Sequence, residues 1–259
     1  NHFAKILDTK ASAIIPYFAG LNHMSYVLKV YHKNKDCLND ILDDVKNSQT
    51  NMKNIDPLAW NYEFIKQLGV YPSPYHKYTY CYEEMFNKFM KQYEDGSTRA
   101  EHVKEIEHVL FEKYKDLDLK VKPKELEERG GAYYSDVACS VISSIYNDKK
   151  EYHVVNTVND GYITDLPNGC AIEITCRITK HGPIPVYIGQ LPETIKGQIQ
   201  QMKNFEEVLV DAIYEKDLKK AKFALQINPM TTSITNASNA FDELYEAHRK
   251  YLEAYFEGK

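Results

Sequence analysis

The spacing of apolar positions changes period several times along the 259 residues. Short apolar runs around a turn come first: Ile14-Ile15-Pro16, then Gly20-Leu21-Asn22-His23-Met24-Ser25-Tyr26-Val27-Leu28. Val27, Leu28 and Val30 follow the Gly-Leu-Asn-His step directly, which puts His23 at the start of a strand. Residues 36–47 and 57–68 read as short helices. Gly69-Val70-Tyr71-Pro72-Ser73-Pro74 is a rigid turn, because prolines fix φ and discourage helix just before them. Tyr75 then heads a helical run through Lys91. Asp95-Gly96-Ser97-Thr98 marks a further helix start, with Val103, Ile106, Val109 or Leu110, and Tyr114 on one face. From Ala132 to Tyr146, the residues Tyr134, Val137, Ala138, Val141, Ile142 and Ile145 recur at steps of three and four, which predicts a wide buried stripe.

The period then shortens. His153-Val154-Val155-Asn156 is β-like, and Ile172, Ile174, Cys176 and Ile178 alternate with Glu173, Thr175 and Arg177. Asn159-Asp160-Gly161 and Pro167-Asn168-Gly169 are turn signals between them. Leu191-Pro192-Glu193 opens a long helix with Ile195, Ile199, Met202, Phe205 or Glu206, and Leu209 on one side. Helices over Leu218 to Gln226 and Ile234 to Phe256 complete the tail. Strands packed beside helices, with no repeat or clear linker, give one α+β domain over residues 1–259. No G-x-G-x-x-G follows a strand and no Walker motif occurs, so a nucleotide-binding half is not expected in this chain.

Composition narrows the partners. A net charge of −5 and a pI near 6.0 argue against nucleic acid or an anionic membrane. No run of 18 apolar residues is present, and Lys5 interrupts any signal-peptide pattern. The chain opens on Asn1 rather than methionine, as a fragment or processed piece would. Five cysteines, Cys37, Cys81, Cys139, Cys170 and Cys176, include no C-x-x-C pair, which suits a reducing, cytoplasmic setting. Cys139 and Cys176 read as small core residues. Tyrosine is abundant, 21 residues against a single tryptophan, as polar-lined pockets and interfaces favour.

The candidate chemistry is dispersed. His23 beside an apolar strand serves packing as readily as metal binding, and no second ligand lies at a local spacing from it. Tyr75, Tyr78, Tyr80 and Tyr82 cannot share one helical face, so most of them are packing residues. A tyrosine acts as a base only where a nearby cation lowers its pKa from about 10. Arg99 stands near a helix start, where backbone N–H groups favour an anion and a guanidinium suits a phosphate. Arg129-Gly130-Gly131 allows a close backbone approach, or simply a helix-to-helix turn.

Taken in order, these segments are specific. G-L-N-H at 20–23, P-S-P-Y at 72–75, T-R-A-E-H-V at 98–103 and R-G-G-A-Y-Y-S-D-V-A at 129–138 resemble glycoside hydrolase family 4. The resemblance continues through H-V-V-N-T-V-N-D-G-Y-I-T-D-L-P at 153–167 and G-P-I-P-V-Y-I-G-Q-L-P at 182–192. It ends near A-L-Q-I-N-P-M at 224–230, and the R-G-G-A-Y-Y-S form is most similar to the 6-phospho-β-glucosidase branch.

The resemblance implies an α+β domain like the C-terminal half of lactate and malate dehydrogenases, which in the family follows a Rossmann domain. It implies NAD and a divalent metal, usually manganese, as cofactors. The family reaction is an oxidation, elimination and addition rather than a two-carboxylate hydrolysis. Oxidation of the sugar's C3 hydroxyl acidifies the C2 hydrogen, a base removes it, and the aglycone leaves from C1. Water then adds and the hydride returns. His23 matches the metal-binding histidine, Tyr75 the C2 base, and Arg99 an arginine that contacts substrate. The family's second metal ligand, a cysteine, lies roughly thirty residues before the histidine, so it falls ahead of Asn1, and none of the five cysteines replaces it. The expectation is the C-terminal, substrate-side part of a cytoplasmic, homo-oligomeric 6-phospho-β-glucosidase, inactive without its NAD-binding half. The alternatives are a 6-phospho-α-glucosidase or other family 4 domain, or a non-catalytic oligomerisation module.

Overall fold

The structure, a computed structural model, describes residues 2–46, 55, 58–130 and 134–256. These residues form two compact units, one of residues 1–19, 23–155 and 173–186, the other of residues 20–22, 156–172 and 187–259.

The first unit is built on a sheet. Its strands are β1 (Ile14–Leu21), β2 (Met24–His32), β3 (Lys35–Asp36), β4 (Tyr71–Pro72), β5 (Tyr152–Val158), β6 (Ala171–Thr179) and β7 (Gly182–Pro185). The ends of β1, β5 and β6 belong to the second unit. Strand order is β3-β2-β1-β6-β5, with β4 added to β2 and β7 to β6. The alternation expected of 172–178 is realised, since Ile172, Ile174, Cys176 and Ile178 are all buried. Thr175 is buried as well. Its hydroxyl donates to the Pro16 carbonyl and accepts from the Phe18 N–H, both at 2.9 Å, so a buried polar group on the other face finds backbone partners in β1.

Helices α1 (His2–Ile6), α2 (Leu38–Asp43), α3 (Tyr62–Leu68), α4 (Lys77–Tyr80), α5 (Tyr82–Glu94), α6 (Arg99–Lys113), α7 (Glu125–Arg129) and α8 (Tyr134–Tyr146) complete this unit. The helical run after Tyr75 is broken at Cys81, whose φ of −123° and ψ of 43° are not helical. Of the stripe expected on α6, Ile106 and Leu110 are buried while Val109 and Tyr114 are exposed.

Helix α8 departs most from expectation. Ala132 and Tyr133 lie outside the described residues. From Tyr134 onward the helix forms, but its apolar stripe is not buried: Tyr134, Val137, Ile142 and Ile145 are exposed, Ile142 at 64%. Cys139 is exposed too, so it is not the core residue expected, whereas Cys176 is. The helix is anchored by its serines instead. Ser144 is fully buried, donates to the Ile178 carbonyl and accepts from the Glu151 N–H. Ser140, one turn earlier, meets the His153 ring.

The second unit is helical, with α9 (Glu193–Glu215), α10 (Leu218–Ile227), α11 (Ile234–Ala247) and α12 (Arg249–Phe256). On α9, Ile195, Ile199 and Met202 are buried as expected. The single helix expected over 234–256 is two, separated at His248 with φ −110° and ψ 10°. The loop before β6 is organised by Asn159, which is fully buried. Its side-chain amide donates to the carbonyls of Ile163, Leu166 and Pro167, and its Oδ1 accepts from the Ile163 N–H. That fills most of the capacity of an asparagine side chain. Lys203, also buried, donates to the Ala171 carbonyl and pairs with Glu206.

Candidate active site

The candidate residues lie at one end of β2 and in the turn that pairs with it. His23 is not at the start of a strand. It is the second residue of the two-residue connection, Asn22-His23, that returns the chain from β1 to β2. Its φ is +63°, an uncommon conformation in which histidine is nevertheless over-represented. A tight turn at this point leaves the imidazole exposed rather than packed into the sheet.

Tyr75 arrives from the other side. Strand β4 adds to β2 with Tyr26 opposite Pro72 and Val27 opposite Tyr71, and the Ser73 N–H donates to the Ser25 carbonyl at 3.0 Å. Pro74 then begins a single 3-10 turn over Pro74–His76, where the proline ring has the φ that a helical first position requires. The turn lays the half-buried Tyr75 ring on His23, centroids 4.0 Å apart and planes within 15°. A phenol and an imidazole 52 positions apart in the chain therefore share one face.

The same two segments form a second pair. Tyr26 and His76 are 0% and 1% exposed, with ring centroids 4.0 Å apart. The Tyr26 hydroxyl is 3.2 Å from His76 Nδ1 and 2.7 Å from the Tyr80 hydroxyl, and the Tyr80 ring stacks on His76 at 5.7 Å. Burial holds His76 neutral, pushing its pKa down to about 4, and the same desolvation pushes the Tyr26 phenol well above its usual range. Neither residue stood out in the sequence. The available signal was order: His23 precedes Tyr26 by three, while Tyr75 directly precedes His76. Nearby, the buried Ser25 donates to Glu173 Oε1 at 2.6 Å. Of the other tyrosines of the 75–82 cluster, Tyr80 packs on Phe64 and His76, and Tyr82 on Phe86.

Arg99 has a different engagement. Thr98 caps α6 with a reciprocal capping box: its N–H donates to the Glu101 carboxylate at 2.8 Å, and its Oγ1 accepts from the Glu101 N–H. That carboxylate already supplies the negative charge a helix N-terminus favours. The Arg99 guanidinium donates to the carbonyls of Glu128 and Arg129, each at 2.7 Å, at the end of α7. Arg129 pairs with Glu107 in return, so in this chain Arg99 braces α6 against α7. Gly130 follows with φ +92°, the permissive role expected of it, while Gly131 lies outside the described residues.

Among the described residues, no group of three or more His, Cys, Asp or Glu side chains is placed to hold a metal ion. His23 alone would contribute one imidazole nitrogen, short of the three protein ligands a catalytic site usually gathers. Among the same residues, no helix is long and apolar enough to cross a membrane.

The sequence pattern of the family 4 glycosyl hydrolase C-terminal domain matches residues 18–231, and this chain belongs to that family. A probable 6-phospho-beta-glucosidase of Bacillus subtilis (strain 168) is 43% identical over 256 residues, 98% of this chain and 58% of the relative. The 6-phospho-beta-glucosidase of Escherichia coli (strain K12) is 38% identical over 237 residues, 90% of this chain and 53% of the relative. The fold also matches a solved 6-phospho-beta glucosidase from Thermotoga maritima, containing manganese, NAD+ and glucose-6-phosphate. There the TM-score is 0.81 at 27% identity, over 96% of this chain and 57% of that one. The chain thus spans little more than half the length of these relatives.

Proposed function

We propose that residues 1–259 are the substrate- and metal-binding part of a 6-phospho-β-glucosidase, with Tyr75 as the base at the sugar's C2 and His23 as a metal ligand. The observation that carries this reading is the His23–Tyr75 stack, which holds a phenol ring and an imidazole ring with centroids 4.0 Å apart. When bound, NAD and a divalent metal would supply the oxidant and the Lewis acid. This chain's contribution is geometric and acid–base. Tyr75 is held by the Pro74 turn so that its hydroxyl can take a proton from a sugar carbon. A cation held at His23 would lower the phenol's affinity for its own proton. Arg99 is a candidate for the substrate's phosphate only in exchange for its bonds to Glu128 and Arg129.

The whole protein, a cytoplasmic homo-oligomer in this reading, should release p-nitrophenol from its 6-phospho-β-glucoside in the presence of NAD and Mn2+. Tyr75→Phe should reduce that release by at least about 100-fold, the range a positioned base contributes. Equal turnover of the 6-phospho-α-glucoside would overturn the β assignment, and undiminished activity in Tyr75→Phe would overturn the base. The 259-residue chain alone is expected to be inactive in the same assay. Sedimentation of the whole protein tests the oligomer, for which the exposed apolar side of α8 is the support.

A further inference from the structure

His23 lies on an exposed two-residue turn and the half-buried Tyr75 on a single 3-10 turn, so the spacing of their rings depends on what packs against those turns. The same two segments supply a second, buried pair with the partners exchanged. The outer stack takes its histidine from the β1–β2 turn and its tyrosine from the Pro74 turn. The inner pair takes its tyrosine, Tyr26, from β2 and its histidine, His76, from the Pro74 turn, its rings tilted by 33° where the outer ones are stacked. Both pairs have ring centroids 4.0 Å apart, and the inner one is fully buried.

The inner stack is also the one that is tied down. Tyr26 is bonded to Tyr80 at 2.7 Å and approaches His76 Nδ1 at 3.2 Å, while Tyr80 closes over the other edge of His76. His76 Nε2 is buried without a hydrogen-bond partner among the described residues. His76 adjoins Tyr75 in sequence, and Tyr26 lies three residues after His23. Any shift of one inner ring therefore moves one outer ring relative to the other.

We propose that His76 is a positioning residue, held by Tyr26 and Tyr80, that sets the contact between Tyr75 and His23. The consequence for catalysis rests on the glycosidase reading above, but the geometric claim does not. Because a displacement of about 1 Å can cost about 100-fold in rate, a ring that fixes this spacing should act on kcat more than on substrate binding.

The test uses the intact protein with its histidines labelled at 13Cε1. In the wild type, the ring current of Tyr75 shifts the His23 resonance, and Tyr75→Leu gives the size of that shift. His76→Leu removes the inner ring and should abolish most of the shift, lower kcat about 100-fold and leave KM within about threefold. His76→Phe keeps a flat ring and should restore the shift and most of kcat. An unchanged His23 resonance in a folded His76→Leu protein would overturn the proposal, as would failure of His76→Phe to restore it. If His76→Leu does not fold, Tyr26→Phe, which removes one oxygen, should give a smaller change of the same sign, and no change there would also overturn it. An inactive wild type would sink the glycosidase reading, while the resonance would still decide whether His76 positions the pair.

Discussion

Helices α8 and α9 look alike on a helical wheel and behave in opposite ways. On α9, Ile195, Ile199 and Met202 repeat at steps of three and four and are buried. On α8, Val137, Val141 and Ile145 recur at steps of four, yet Val137 and Ile145 are exposed and Val141 is half-buried, while Ser144 is the residue that is buried. Periodicity creates an apolar stripe, but whether water leaves that stripe depends on a second surface. In α8 the turn bearing Ser140 and Ser144 faces β5 and β6, because the Glu151 N–H and the Ile178 carbonyl there need partners that an aliphatic side chain does not offer. Two helices with one pattern therefore contribute differently to stability, and that difference can be attacked directly.

The largest effect is expected at Ile199, which is 0% exposed. Ile199→Ala should lower unfolding free energy by about 2–5 kcal/mol, through lost burial and the cavity left behind. A shift of the urea midpoint at constant m reads it, and a loss below about 1 kcal/mol would mean that α9 is not packed as described. Next comes acid. His76 binds a proton near pH 6.5 when unfolded and near pH 4 when folded. Its contribution is complete above pH 6.5 and is lost as pH falls through that window, by about 3 kcal/mol at its lower end. Denaturant titrations at pH 7 and pH 4.5 should show the fall, and His76→Phe should flatten part of it.

Within α8, Ser144→Ala is expected to cost about 1 kcal/mol, because the Glu151 N–H and the Ile178 carbonyl each lose a bond inside the fold. Ile142→Ala, although it removes more apolar surface, should stay within about 0.5 kcal/mol, as exposed substitutions do. The reverse order in thermal melts of the isolated chain would mean that the stripe of α8 is covered after all.

The corner that holds His23 and Tyr75 was legible to a different degree. The sequence motifs around His23 and Tyr75 mark two residues whose ring centroids the fold brings to 4.0 Å, though His23 occupies a turn and not the strand start that the motif suggests. The Gly-Leu-Asn-His run is followed at once by β-branched and aromatic residues. Propensity alone does not say which of four consecutive residues turns. Tyr26 and His76 passed unnoticed because each looks ordinary among its neighbours, and their meaning comes from a contact across 50 positions. Arg99 was read as available for an anion because its place at a helix start is local. Its bonds to Glu128 and Arg129 depend on α7 arriving from 29 residues away.

The sequence by itself determined the family, the α+β class, the alternating core of β6, the helix start at Thr98 and the covered stripe of α9. Each of these is a matter of residue type at short spacing, where the backbone period and the first hydrogen bonds are decided within a turn or a strand. Tertiary structure alone decided that α8 faces inward by its serines, that Arg99 closes α7, and that the segments of the His23–Tyr75 stack also form a buried Tyr26–His76 pair. Those outcomes depend on which distant segment crosses each surface. A side chain's partners, and hence its burial and its protonation, are set by that crossing and not by its neighbours in the chain.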